Sequence, residues 1–97
     1  MADDRPVLFT LEWTPAFAKS AARYLKRHPE MTGRFESALA ALEWDPNDPK
    51  LRLHALQGRL VGCHAIRISY GDRVVVSLML CEKRIVLLDA GSHDDVY

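Results

Sequence analysis

Ninety-seven residues, 48% hydrophobic and 27% charged, with 13 Lys/Arg against 13 Asp/Glu, describe one folded domain over residues 1–97. They exclude a disordered polyelectrolyte and leave no length for a second core. No apolar stretch approaches the roughly 20 residues that cross a bilayer, and Met1-Ala2-Asp3-Asp4-Arg5 is acidic where a secretory signal is basic. A cytoplasmic protein without membrane association is expected, with Cys63 and Cys81 as free thiols.

The zero net charge hides a bias along the chain. Residues 1–49 carry six Lys/Arg against eight acids, residues 50–73 five against one, and residues 74–97 two against four. Lys50, Arg52, Arg59, Arg67 and Arg73, interspersed with His54 and His64, therefore read as the only basic segment. Such a segment suits an anionic partner such as nucleic acid, or else a solvated charged face.

In chain order, Val7 to Trp13 alternates apolar and polar, a strand signal. Thr14-Pro15 supplies an N-cap and a first-turn proline, and Phe17, Ala21, Tyr24 and Leu25 follow at helical spacing. The helix should stop before Pro29. A second helix is expected after His28 or Pro29, with Met31, Phe35, Ala38, Leu39 and Leu42 on one stripe, forming an antiparallel hairpin with the first. Asp45-Pro46-Asn47-Asp48-Pro49 is a loop.

The period then changes to two. Leu51 and Leu53 oppose Arg52 and His54, and Gly58 interrupts. Residues 63–70, 73–80 and 84–90 read as three strands of an antiparallel meander, joined at Gly71-Asp72 and Glu82-Lys83. A two-residue turn at Gly71-Asp72 would place Cys63 opposite Leu80. The expected fold class is α+β: an N-terminal strand, a helical hairpin, then an antiparallel sheet of three to four strands with helices on one face. On the strand from 63 to 70, Arg67 shares a face with Cys63, Ala65 and Ser69, whereas His64 sits with Ile66, Ile68 and Tyr70 in core-like company.

The chain closes on an apolar run, Ile85 to Leu88, followed by Gly91-Ser92-His93-Asp94-Asp95-Val96-Tyr97, so imidazole and phenol groups accumulate at the C-terminus. A zinc site from Cys63, His64, Cys81 and His93 is disfavoured, because adjacent strand residues point opposite ways and no paired ligand spacing exists. Neither a Gly-rich phosphate loop nor a nucleophile elbow occurs. No metal or cofactor is expected.

His54-Ala55-Leu56-Gln57-Gly58, Gly62 followed five positions later by Arg67-Ile68, Arg73, then Leu87-Leu88-Asp89-Ala90-Gly91-Ser92-His93 and Val96-Tyr97, resemble in order and spacing the RelE/ParE superfamily of toxins from type II toxin–antitoxin modules. The resemblance is closest to the RelE/YafQ-like branch of mRNA interferases, whose members resemble microbial RNases and cut mRNA, often on the ribosome. It implies a toxin that inhibits translation, partnered by a cognate antitoxin protein and acting on mRNA. By position it assigns catalytic roles to His54, Arg67, His93 and Tyr97; RNA contacts are expected from Arg52, Arg59 and Arg73 of the basic segment. His64 is not carried over. Two departures stand out: nuclease toxins of this kind are clearly basic, and here Asp94 and Asp95 adjoin His93. The superfamily also holds gyrase-directed and non-cleaving members, so a non-catalytic binding protein is the alternative.

The implied chemistry fits the residue types. Metal-free RNA cleavage must deprotonate the 2′-hydroxyl, stabilise the phosphorane and protonate the leaving 5′-oxygen. Histidine, with an ordinary pKa of about 6.5, suits both proton transfers. The fixed arginine fork suits the developing charge. His93 or His54 is expected as acid or base, Arg67 as the phosphate clamp and Tyr97 as a stacking group.

Overall fold

The computed structural model describes residues 9–92. In chain order it forms β1 (Thr10–Trp13), α1 (Pro15–Arg27), α2 (Thr32–Trp44), β2 (His54–Ala55), β3 (His64–Ser69), β4 (Asp72–Met79) and β5 (Arg84–Ser92), joined in part by short 3-10 turns. One of these turns, Pro29–Met31, separates the helices and delays α2 to Thr32. The architecture is α+β, as expected. The five strands lie in the order β1-β5-β4-β3-β2, and β1 joins parallel to β5 at the edge of an otherwise antiparallel sheet.

Local chemistry sets the boundaries of α1. The Thr14 Oγ1 accepts from the Phe17 N–H at 3.1 Å, Pro15 occupies the first turn, and the same hydroxyl donates to the Leu87 carbonyl at 2.7 Å. The cap thereby ties the helix start to β5. Further along, the buried Ser20 hydroxyl donates to the Phe17 carbonyl and accepts the Ala90 N–H. Helix α1 thus lies along β5 through two side-chain bridges.

The main core fills the space between helices and sheet. Phe17, Tyr24, Phe35 and Leu42 meet Ile66, Val74, Val76, Ile85 and Leu87, and the Phe17 and Phe35 rings stack at 6.1 Å. Among the described residues, the opposite sheet face carries a thin cluster of Leu56, Ala65 and Val75, edged by Leu60, Cys63 and Leu88. Within residues 9–92, one face is therefore closed by helices and the other is open.

Two bulges set which residues share the open face. Arg67 pairs with Arg73 while Ser69 pairs with Asp72, so Ile68 is an extra residue on β3. Val75 pairs with Asp89 while Val76 pairs with Leu87, so Leu88 is extra on β5. The expected turn at Gly71-Asp72 is corrected: Tyr70 and Gly71 form the two-residue connection, and Asp72 already belongs to β4. The sequence alternation around Ile68 looks uninterrupted, because an extra apolar residue disturbs the polar–apolar pattern by a single step. Cys63 and Cys81 are both free.

Candidate functional site

Register defines the site. His54 pairs with Ala65, and Ala65 with Val75. Directly paired residues project from the same face, and alternate residues along a strand return to it. Ala65 and Val75 belong to the open-face cluster, so His54, Arg67 and Arg73 project from that face too, Arg67 and Arg73 as a directly opposed pair. His64 falls on the helix side, and its buried Nδ1 has no partner among the described residues.

Two like charges directly across a sheet repel. Here the turn carbonyls offset part of that cost. The Arg67 Nε–H donates to the Ser69 carbonyl at 3.2 Å, and an Arg73 terminal nitrogen donates to the Tyr70 carbonyl at 3.2 Å and lies 3.4 Å from that of Ser69. The Arg67 guanidinium also stands 5.2 Å from the centre of the exposed Tyr70 ring. Neither arginine forms an ion pair among the described residues, and the buried Arg73 Nε has no partner there. An incoming anion is the natural counter-charge for such a pair.

His54 sits on the two-residue edge strand β2, exposed, with Nδ1 2.8 Å from the Arg52 carbonyl. A carbonyl only accepts, so Nδ1 carries the hydrogen in this bond. Arg52 presents this carbonyl from a left-handed conformation, φ 49°. Beside His54 a cleft of about 330 Å³ is lined by Ala55, Leu56, Gln57, Arg59 and Leu60. It joins an imidazole and a guanidinium to an apolar floor. A larger groove of about 540 Å³ runs along the outer edge of β3, with Glu30 before α2, Arg34, Ala38 and Ala41 from α2, Lys50 from the turn before β2, and Arg67.

The structure thus brings His54, Arg67 and Arg73 to one face and places Arg59 in the cleft beside His54. Arg52 is exposed next to them. His93 and Tyr97 lie outside the described residues. No group of three or more His, Cys, Asp or Glu is gathered among the described residues. No described helix is long and apolar enough to cross a membrane.

One basic element does not emerge from charge summed over long segments of the sequence. Helix α1 carries Lys19, Arg23, Lys26 and Arg27 and no acid. Summing residues 1–49 as one block hid it behind acids on other elements. Counting charge helix by helix finds it.

No protein-family model matches the chain, and no curated protein sequence matches it. Solved structures do. A crystal structure of YafQ from E. coli superposes with a TM-score of 0.77 at 18% identity, covering 92% of this chain and 98% of that one. The toxin YafQ in the E. coli DinJ–YafQ toxin–antitoxin complex gives 0.76 at 17% identity, covering 94% and 99%. A YoeB/ParE toxin from Agrobacterium tumefaciens gives 0.72 at 16% identity, covering 88% and 99%. These likenesses span nearly the whole domain, and the fold of this chain is that of the RelE/YafQ-like toxins.

Proposed function

We propose that this chain is the toxin of a type II toxin–antitoxin pair and acts as a metal-independent endoribonuclease on mRNA, arresting translation. The observation that carries the reading is the opposed Arg67–Arg73 pair, without an acidic partner among the described residues, on the same open face as His54. Two guanidiniums gripping a phosphodiester would stabilise the phosphorane, and His54 Nε2 would take or give a proton. His93 is the second proton-transfer candidate, and Tyr97 the group that stacks on a base. Arg52 and Arg59 would hold flanking phosphates, with the Leu56–Leu60 floor of the cleft offered to a nucleobase.

The partner proposed is a cognate antitoxin, by analogy with the DinJ–YafQ complex and the YoeB–YefM complex from Staphylococcus aureus. The groove between α2 and the outer edge of β3 suits it. A groove beside a strand edge that mixes apolar side chains with three cations, Arg34, Lys50 and Arg67, and one acid, Glu30, accepts a segment that folds on binding.

Induction of the chain in a bacterium tests the reading. Growth should stop, and transcripts should show discrete cuts ending in 2′,3′-cyclic phosphate and 5′-hydroxyl, the products of attack by the 2′-hydroxyl. Chelators should not prevent cleavage by the purified protein, with or without ribosomes. Arg67→Ala should lower the cleavage rate by about 10²–10³-fold, the usual loss when one charge-stabilising donor is removed, while the melting temperature stays near that of the parent. The balanced charge of 13 Lys/Arg against 13 Asp/Glu favours one rival, a non-catalytic binding protein such as a gyrase-directed toxin, because less electrostatic attraction to RNA is available. Growth arrest with intact transcripts would select that rival.

A further inference from the structure

Lys19, Arg23, Lys26 and Arg27 are all exposed, and at 100° per residue they fall within about 100° of arc on α1. The buried stripe of Phe17, Ser20, Ala21 and Tyr24 is centred about 120° further round the helix. None of the four cations forms a hydrogen bond or ion pair among the described residues. A small polar cleft of about 50 Å³ adjoins two of them, lined by Ser20, Arg23, Arg27 and His28 on the helix side and by Asp89 and Gly91 on β5. The Asp89 carboxylate is engaged there by the Ala90 N–H at 2.9 Å.

Gly91 also pairs directly with Arg73. The α1 cations and the Arg67–Arg73 pair therefore flank the same end of the sheet, one set on the helix side and the other on the open face. We propose that α1 is a second RNA-backbone surface, on which Lys19, Arg23, Lys26 and Arg27 bind phosphates flanking the segment held by Arg67 and Arg73. The assignment rests on RNA being the ligand of the open face. Charge and composition both favour a phosphate backbone over a protein partner. A protein interface needs an apolar core, and besides these cations the exposed side of α1 offers only Pro15, Ala16, Ala18 and Ala22. Nucleic-acid interfaces are polar and cationic throughout.

The test uses the full chain and a 2′-O-methyl single-stranded RNA of about 20 nucleotides, which cannot be cleaved through its 2′-oxygen. The Kd is followed from 50 to 300 mM salt for the parent and for K19Q/R23Q/R27Q, with thermal melts confirming that the exposed changes leave folding intact. Each lost phosphate contact should lower the log–log salt slope by about 0.7, so the slope should fall by about 2 and binding at 50 mM salt should weaken at least tenfold. A slope equal to that of the parent overturns the proposal. So does a poly-glutamate peptide that displaces the RNA as well as an RNA of equal charge does, which would make an acidic protein segment the occupant. Cleavage of a substrate too short to reach α1 should be unchanged in the variant. If the parent binds RNA with the full slope yet cuts none, the nuclease reading fails and the α1 surface stands. If it cuts RNA but the variant keeps the parent slope, α1 alone fails.

Discussion

One carboxylate oxygen holds together three parts of the fold. The Tyr24 hydroxyl donates to Asp72 Oδ2 at 2.7 Å, and the Ser69 hydroxyl donates to the same oxygen at 2.8 Å. Helix α1 is thereby fastened to the turn whose carbonyls orient Arg67 and Arg73. Burial, with help from the Asp72 carboxylate, pushes the Tyr24 phenol well above its ordinary value. A raised value means the contribution is fully present below the unfolded phenol's pKa of about 10 and is lost as pH climbs beyond it. Tyr24→Phe should cost about 1.5–3 kcal/mol at neutral pH, the range for a hydrogen bond to a charged acceptor. Above pH 10 it should also flatten the decline in stability, which this group steepens by at most about 1.4 kcal/mol per pH unit. Urea midpoints from pH 7 to 11 measure both, and a variant with the parent's alkaline slope would assign that slope to another group. Tyr24 is legible in the sequence only as one member of an apolar stripe. Its partner lies 48 residues away, and nothing in local periodicity connects them.

At the scale of elements, what the sequence announces is what local chemistry encodes. Thr14-Pro15 marks the start of α1, and Pro29 enforces its end at Arg27. Thr14→Ala should cost about 1–2 kcal/mol, because the cap to Phe17 and the bond to Leu87 are lost together, whereas Thr14→Ser should be nearly neutral. Thermal melts of the two variants make the comparison, and an equal loss in both would point to the methyl group instead. Long-range pairing is less legible. The sequence places the hairpin turn at Gly71-Asp72, yet Tyr70-Gly71 makes it, pairing Ser69 with Asp72, and beyond that pair the bulge at Ile68 moves the register by one more residue. That shift makes Arg67 and Arg73 direct partners. The same holds for β1, whose alternation identifies a strand but not a parallel partner at β5. Its edge is fixed by contacts such as Arg84 to Glu12 at 2.6 Å, across 72 residues of chain.

For the whole molecule, the two sheet faces differ in how much apolar matter covers them, and that difference separates stability from function. Leu42 is fully buried in the large core beneath the helices, while Leu56 belongs to the thin cluster on the open face and floors the cleft beside His54. Leu42→Ala leaves a cavity that surrounding helices and strands cannot close, and should cost about 2–5 kcal/mol. Leu56→Ala removes as many atoms from a surface that can collapse or admit water, so its cost should fall at or below the low end of that range. The effects on RNA should rank the other way. Leu42→Ala, assayed where it remains folded, should keep the parent's cleavage rate, whereas Leu56→Ala should weaken substrate binding by removing the apolar floor next to the imidazole. Denaturant titrations paired with cleavage kinetics resolve the two axes. Should both variants lose the same stability and the same activity, the open face would be an extension of the core rather than a surface built to receive a ligand.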